Sequence, residues 1–179
     1  FTCCYSLTSI DIPNSVKSIG DYAFNSCTSL TNITLPGGIE SIGDNAFESC
    51  YSFTSIVIPE SVICIGNNAF HHSFGLMNIS VDKNNKHYCS VDGVLFDKDM
   101  STLICYPMGK TNTGYTVPYG VKDIGDNAFE YCEYLTSVTI SGSVKSIGNY
   151  TFGSCYSLTS VTIPGNVKSI GDNAFEYCE

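Results

Sequence analysis

Apolar and polar residues alternate in short runs that return along the chain at intervals of 23 residues. The first run is TSIDIP at residues 8–13, in which Ile10 and Ile12 alternate with polar residues. This period-two alternation is typical of a strand that buries one face, and the proline that follows ends the strand because it cannot donate to a ladder. Equivalent runs stand at 31–36, 54–59, 77–82, 136–141 and 159–164. Every copy is therefore predicted to contribute one strand.

Two further motifs follow each run. In the first copy, Val16 and Ile19 predict a second short strand, and Gly20 predicts a sharp turn with positive φ. Asp21 is expected to cap a short helical turn by accepting free backbone N–H groups, and Phe24 is expected to fill the core. Because one copy cannot bury its apolar residues alone, the copies should stack with parallel strands about 4.8 Å apart and one continuous core. The predicted fold is a β-rich α/β solenoid of 23-residue coils.

The repeat is interrupted once. Between Val81 and Val117 the spacing is 36 residues, which is 13 more than the period. The runs VLF and TLICY within 87–107 are joined by a polar segment, so they predict an inserted β-hairpin that projects from one coil. We therefore expect a single domain over 1–179, with regular coils at 1–82, a long coil at 83–118 and regular coils at 119–179. Because both ends fall inside a repeat, we expect a fragment of a longer array.

The motifs in order, L-x-x-I-x-I-P, V-x-x-I-G, A-F and C, resemble the BspA-like, or treponemal-type, leucine-rich repeat family over the whole chain. The long coil is also similar to that family, in the segments DGVLF at 92–96 and TLICYPMGK at 102–110. The resemblance implies a right-handed leucine-rich superhelix. It also implies a non-enzymatic adhesion or protein-interaction module of a cell-surface or secreted protein, binding host or microbial surface proteins. An intracellular, cytoplasmic scaffold or regulatory subunit and a rigid spacer remain alternatives.

Composition narrows the range of partners. The chain has 17 acidic and 8 basic residues, a net charge of −9, and no Arg. Nucleic-acid binding depends on a positive surface and on Arg, so no nucleic-acid partner is expected. No apolar run approaches the roughly 18–20 residues that cross a bilayer, so direct membrane insertion is not expected. No catalytic or cofactor-binding motif is present in the sequence, so we expect neither an enzyme nor a cofactor.

Ten cysteines are the main chemical feature, and six of them share one repeat position. These six are predicted to form a ladder of buried thiols that behave as small hydrophobic residues. A disulfide between Cys89 and Cys105 is left open, since both flank the predicted hairpin, and Cys64 is expected to be exposed. The six ladder cysteines are Cys4, Cys27, Cys50, Cys132, Cys155 and Cys178.

The chain has three histidines, His71, His72 and His87, which are candidate metal ligands. Adjacent His71 and His72 are awkward ligands for one tetrahedral ion, and no C-x-x-C motif accompanies them. They replace Glu48 and Ser49 of the preceding copy, at positions expected to face solvent. We therefore expect surface histidines and no metal site.

The outward side chains of the first strands are predicted to stack into two columns, which we call the Ser/Thr ribbon. It is flat, polar and nearly uncharged, and solenoids use such sheet surfaces to bind partners. The alternative is a face that only supports strand formation. Open ends also suggest end-to-end self-association. The predicted partner-binding residues are Ser9, Asp11, Asn32, Thr34, Ser55, Val57, Asn78, Ser80, Thr116, Ser137, Thr139, Ser160 and Thr162.

Overall fold

The computed structural model describes residues 1–178 and consists of short strands joined by turns. Each regular coil contains one strand of two to four residues on each of two sides and a run of turns on the third. The strands are β1 Ser9–Asp11, β2 Ser18–Ile19, β3 Asn32–Thr34, β4 Ser41–Ile42, β5 Ser55–Ile58, β6 Cys64–Ile65, β7 Asn78–Val81, β8 Tyr88–Val91, β9 Val94–Asp97, β10 Thr102–Cys105, β11 Gly114–Thr116, β12 Asp123–Ile124, β13 Ser137–Thr139, β14 Ser146–Ile147, β15 Ser160–Thr162 and β16 Ser169–Ile170.

The predicted stacking of 23-residue coils with parallel strands is confirmed, with about seven coils. First strands pair with first strands, as β1–β3, β5–β7 and β11–β13–β15, and each regular pair is in register at the repeat spacing. Second strands pair as β2–β4–β6 and β10–β12–β14–β16. Because successive side chains on a strand point to opposite faces, Ile33 and Ile56 are buried while their neighbours Asn32 and Ser55 are exposed.

The third side of each coil is not helical. The expected helical turn at Asp21 is wrong: no helix occurs in residues 1–178. The reason is a pair of left-handed residues four apart, such as Tyr22 at φ 56° and Ser26 at φ 59°, which a right-handed helix cannot contain. The prediction of a positive φ at Gly20 is also wrong, because the positive φ is found two residues later, at Tyr22. Asn occupies the first left-handed position in four coils, and Asn tolerates that region: Asn45, Asn68, Asn127 and Asn173.

Backbone hydrogen bonds on this third side alternate between two kinds. Phe24 N–H donates to Ala46 O of the next coil at 2.8 Å, whereas Ala23 N–H closes a local turn onto Gly20 O at 3.2 Å. The same alternation continues along the run. The turns therefore contribute to the stack as a third ladder between coils.

Close approach of the coils explains the glycine of the I-G motif. A Cβ on Gly43 would lie 2.4 Å from Asp21 Oδ1 and 2.5 Å from Asp21 N. The carboxylate does not cap its own coil as expected. Instead, Asp21 Oδ1 accepts the N–H of Asp44 in the next coil at 2.8 Å. Glycine thus makes room for a hydrogen bond that joins successive coils.

The insertion forms three antiparallel strands, β8–β9–β10, rather than a hairpin. The two predicted strands correspond to β9 and β10; β8 was missed because YCSV lacks a clear alternation. The insertion also does not project from the coil, because β10 pairs in parallel with β12 and thereby continues the sheet of second strands. The extra residues are therefore incorporated into the stack.

The core is divided into two clusters, so the prediction of one continuous core is wrong. Leu95 on β9 packs in the first cluster, with buried residues from Ile19 to Ile79. Its neighbours Val94 and Phe96 pack in the second cluster, which extends to Ala174. Strand β9 therefore separates the two clusters and is buried on both faces. In the described part of the chain, no helix is long and apolar enough to cross a membrane.

Candidate functional site

The Ser/Thr ribbon lies on the first strands, and twelve of its thirteen predicted residues are exposed; Ser80 is half-buried. In the first half, Ser9 pairs with Asn32 and Asp11 with Thr34. In the second half, Ser137 pairs with Ser160 and Thr139 with Thr162. The ribbon is thus an accessible surface whose side chains stand at the repeat spacing. Its use as a binding face stays a prediction.

A groove crosses the ribbon where β3 and β5 lie side by side without a hydrogen-bonded ladder. It has a volume of about 500 Å³. Val57 lines it and is 60% exposed, an apolar side chain among polar neighbours. Other lining residues include Asn32, Thr34, Ser55 and Asp82. This is the part of the ribbon that combines concave shape, apolar surface and hydrogen-bonding groups.

The insertion interrupts the ribbon between β7 and β11, which do not pair. The turn at Asp92 and Gly93, both with positive φ, packs on β7, and Gly93 O accepts the N–H of Ile79 at 3.0 Å. In β11, Gly114 pairs with Ser137, so the first column lacks a side chain there. The insertion therefore divides the two predicted columns into a part before it and a part after it.

The thiol ladder is a set of hydrogen-bond donors as well as packing groups. Cys155 Sγ donates to Phe129 O at 3.0 Å, and Cys50 Sγ to Phe24 O at 3.1 Å, each 26 residues back. Ser73 replaces the cysteine in its coil and donates to Phe47 O in the same way at 2.6 Å. A small donor at this position thus satisfies a carbonyl of the preceding coil.

Burial disfavours ionisation of two central ladder thiols. Desolvation raises the pKa of Cys50 and of Cys155 to about 12 each, because a buried thiolate would lose its hydration. Within residues 1–178 every cysteine is a free thiol, and Cys64 is exposed as predicted. The disulfide left open between Cys89 and Cys105 does not form. These residues lie on β8 and β10, with β9 between them.

A cluster of two histidines and two carboxylates lies on the turn side of the stack, and we call it the histidine cluster. His71 Nε2 is 2.6 Å from Glu130 Oε2, and His72 Nδ1 is 3.6 Å from Glu48 Oε1. The two imidazole ring centroids are 3.9 Å apart. Burial, followed by the charge of His71, lowers the pKa of His72, whereas Glu48 opposes that shift. The cluster therefore places two imidazoles and two carboxylates at close range.

The expectation that both histidines are surface residues is wrong, since the side chains of His71 and His72 are only 15% and 30% exposed. Glu48, His71 and His72 each offer a ligand atom within 4.8 Å of the others. The sequence contained a signal for the proximity of Glu48 and His71, because these residues occupy the same repeat position and must stack. Glu130 occupies that position too, but its contact with His71 depends on the insertion.

The contact between His71 and Glu130 arises because the long coil lacks the complete run of turns that the regular coils have on this side. Tyr106 replaces the repeat phenylalanine there, and its carbonyl accepts from Cys132 Sγ at 3.8 Å as the phenylalanine carbonyls do elsewhere. Across the missing turn, Asn127 Nδ2 donates to Asn68 Oδ1 at 2.7 Å. A cleft of about 490 Å³ remains beside this bridge, lined by Asn67, Asn68, Thr102, Ile104, Asp126 and Asn127 among others.

Stacked 23-residue coils, an aliphatic core and a polar outer sheet surface define a repeat solenoid, a class whose extended surfaces bind partners. The family model described as "BspA type Leucine rich repeat region" matches in six copies over residues 1–93 and 108–179. The chain belongs to the BspA-type leucine-rich repeat family. The unmatched residues 94–107 fall within the insertion.

Solved structures agree with this assignment. A leucine rich cell surface protein from Faecalibacterium prausnitzii is 34% identical with a TM-score of 0.90, over 99% of this chain and 47% of that one. The pneumococcal vaccine antigen PcpA is 26% identical with a TM-score of 0.90, over 97% and 49%. A leucine-rich repeat protein from Eubacterium ventriosum is 28% identical with a TM-score of 0.71, over 96% and 58%.

The chain spans about half the length of the first two of these solved proteins. No curated protein matched the sequence. The function of the complete relatives is therefore carried over to this chain only as a proposal.

Proposed function

We propose that the chain is a non-enzymatic protein-interaction module of a cell-surface or secreted protein, and that it binds a protein partner through the Ser/Thr ribbon. The groove at Val57 is the observation that supports this most directly. An interface needs a desolvated apolar centre with hydrogen-bonding groups around it. Val57 offers the apolar contact, and the hydroxyl and amide groups of Thr34, Ser55 and Asn32 surround it.

Charge also favours a protein ligand over a nucleic acid. The ribbon carries one charged residue, Asp11, among the thirteen, while the whole chain has a net charge of −9. Binding at the ribbon would therefore rest on hydrogen bonds and apolar contact rather than on attraction between opposite charges. A partner with a flat surface rich in polar uncharged groups fits best.

A location outside the cell is supported by the relative from Faecalibacterium prausnitzii, which is described as a cell surface protein. Adhesion to host or microbial proteins is the role we infer for that location. The alternative, a cytoplasmic scaffold, would use the same ribbon.

End-to-end self-association also stays a proposal. In the first coil, Phe1, Ile10, Ile12 and Val16 line an open apolar hollow, and in the last coil Ile163 and Ile170 are 38% and 50% exposed. Stacking of further coils or a second copy on either side would cover these residues.

The experiment compares two apolar residues of similar exposure on different sides of the solenoid. Val57 on the ribbon is 60% exposed, and Ile63 beside the second strands is 55% exposed. Beads coated with wild-type protein, Val57→Glu or Ile63→Glu are added to epithelial cells and to bacteria of a second species. We expect Val57→Glu to reduce the number of adherent beads at least fivefold, because a desolvated carboxylate opposes binding in the groove.

The matched variant Ile63→Glu should adhere like wild type. Equal adhesion by both variants would contradict the ribbon as the binding face. Wild-type beads that adhere no better than albumin-coated beads would contradict adhesion itself. Both variants should keep the wild-type melting temperature within a few degrees, since neither side chain is in the core.

A further inference from the structure

We propose that Glu48, His71 and His72 bind a divalent transition-metal ion of the Zn²⁺ class, with Glu130 positioning His71. The three residues come from adjacent coils, and one ligand atom of each lies within 4.8 Å of the others. Two imidazoles and one carboxylate form a ligand set that suits Zn²⁺ and leaves a fourth position for water.

The distance between two of the ligands already fits one ion. Two atoms at 2.0–2.1 Å from a tetrahedral ion are about 3.4 Å apart. His72 Nδ1 and Glu48 Oε1 are separated by 3.6 Å. A metal between them would require only small movements of these two side chains.

Backbone conformation removes the objection to adjacent histidines. In an extended chain, neighbouring side chains point to opposite faces, so His71 and His72 would diverge. His72 has a left-handed conformation with φ 52°, and its ring centroid lies 3.9 Å from that of His71. The second left-handed position of the turn therefore brings both imidazoles to one side.

Glu130 supplies the second contact that metal-bound histidines usually have. Its Oε2 lies 2.6 Å from His71 Nε2, an arrangement in which a carboxylate fixes the tautomer and orientation of the ring. The metal would then take the other nitrogen, Nδ1. Glu48 is held in a similar way, because Asn25 Nδ2 donates to its Oε2 at 2.7 Å, which leaves Oε1 for the ion.

Charge and burial also favour a cation. Glu48 and Glu130 place two carboxylates around the two imidazoles, and their side chains are 22% and 13% exposed. A dication would neutralise this half-buried negative charge. Because His71 contacts Glu130, the metal site would also join the coils before the insertion to the coil after it.

The test uses ZnCl₂ as the probe, in isothermal titration calorimetry on protein whose exposed Cys3 and Cys64 are replaced by serine, so that these accessible thiols do not bind zinc. We expect one Zn²⁺ per chain. His72→Ser should weaken binding at least 100-fold. Serine stands at that position in three other coils, at Ser26, Ser49 and Ser154, so the variant should fold. His87→Ser, outside the cluster, should bind like wild type.

Two further measurements separate ligation from positioning and from thiol binding. Glu130→Gln should weaken zinc binding 10- to 100-fold while keeping the stoichiometry at one, as expected for a carboxylate that orients a metal-bound histidine without touching the ion. The Co²⁺ complex should lack the intense thiolate charge-transfer absorption that cysteine ligands produce. Absence of binding at 100 µM Zn²⁺, unchanged affinity in His72→Ser, or thiolate absorption with Co²⁺ would each overturn the proposal.

Discussion

At the residue scale, individual positions of the repeat serve contacts between coils. The glycine of the I-G motif stands where a side chain would collide with the aspartate of the preceding coil, as at Gly148 against Asp126. The cysteine donates to a carbonyl of the preceding coil. These residue types could be noted from the sequence, but their partners lie 22 to 26 residues away and follow only from the register of stacking.

Two glycines with different surroundings test this view. A Cβ on Gly148 would lie 2.5 Å from Asp126 Oδ1 and 2.6 Å from Asp126 N, whereas one on Gly142 meets nothing within 4 Å. Neither glycine has positive φ. We predict that Gly148→Ala lowers the free energy of unfolding by about 1–3 kcal/mol through overpacking, measured by urea denaturation.

Gly142→Ala is the matched control. Alanine there should be neutral or stabilise by about 0.4–1 kcal/mol, because it restricts the unfolded chain. If the two variants have the same stability, close approach of the coils does not explain the glycine.

At the scale of elements, the strand β9 has the largest effect on the architecture. Its side chains alternate between the two clusters, with Leu95 in the first and Phe96 in the second. A strand buried on both faces reads as a continuous apolar run, and VLF is such a run. The sequence therefore indicated a strand, but not that it would lie between two cores.

Truncating these two neighbours should affect different halves of the molecule. We predict that Leu95→Ala accelerates amide hydrogen exchange chiefly in β2 to β7, and that Phe96→Ala does so chiefly in β11 to β16. Each cavity should lower the free energy of unfolding by about 2–5 kcal/mol. Exchange read by mass spectrometry on peptides from both halves provides the measurement, and the same peptide pattern in both variants would contradict the separation by β9.

At the scale of the whole molecule, buried thiols in both clusters connect stability to pH. The pKa of Cys50 and of Cys155 is raised by burial from 9.0 to about 12. Because the unfolded thiol ionises first, the contribution of each to stability is fully present below pH 9 and is lost as the pH rises towards 12. Burial also raises the pKa of Tyr106 and Tyr115, which adds a loss of the same sign above pH 10.

We predict that wild-type protein loses about 1 kcal/mol for each of these two thiols between pH 7 and pH 10. The double variant Cys50→Ser, Cys155→Ser should lose less over that range, measured by urea denaturation at both pH values. Ser73 makes the same hydrogen bond in its own coil, so the variant should fold at pH 7. An equal loss of unfolding free energy in both proteins would show that these thiols do not cause the loss of stability at alkaline pH.

The sequence alone determined the period, the parallel stacking, the inward residues and the exposed Ser/Thr ribbon, because each follows from local alternation repeated every 23 residues. Tertiary structure decided what depends on contacts across the interruption. The meander β8–β9–β10 divided the core, and the missing turn of the long coil brought His71 against Glu130, 59 residues away. No periodicity encodes such a contact, since it exists only where the repeat fails and the chain closes the gap by packing.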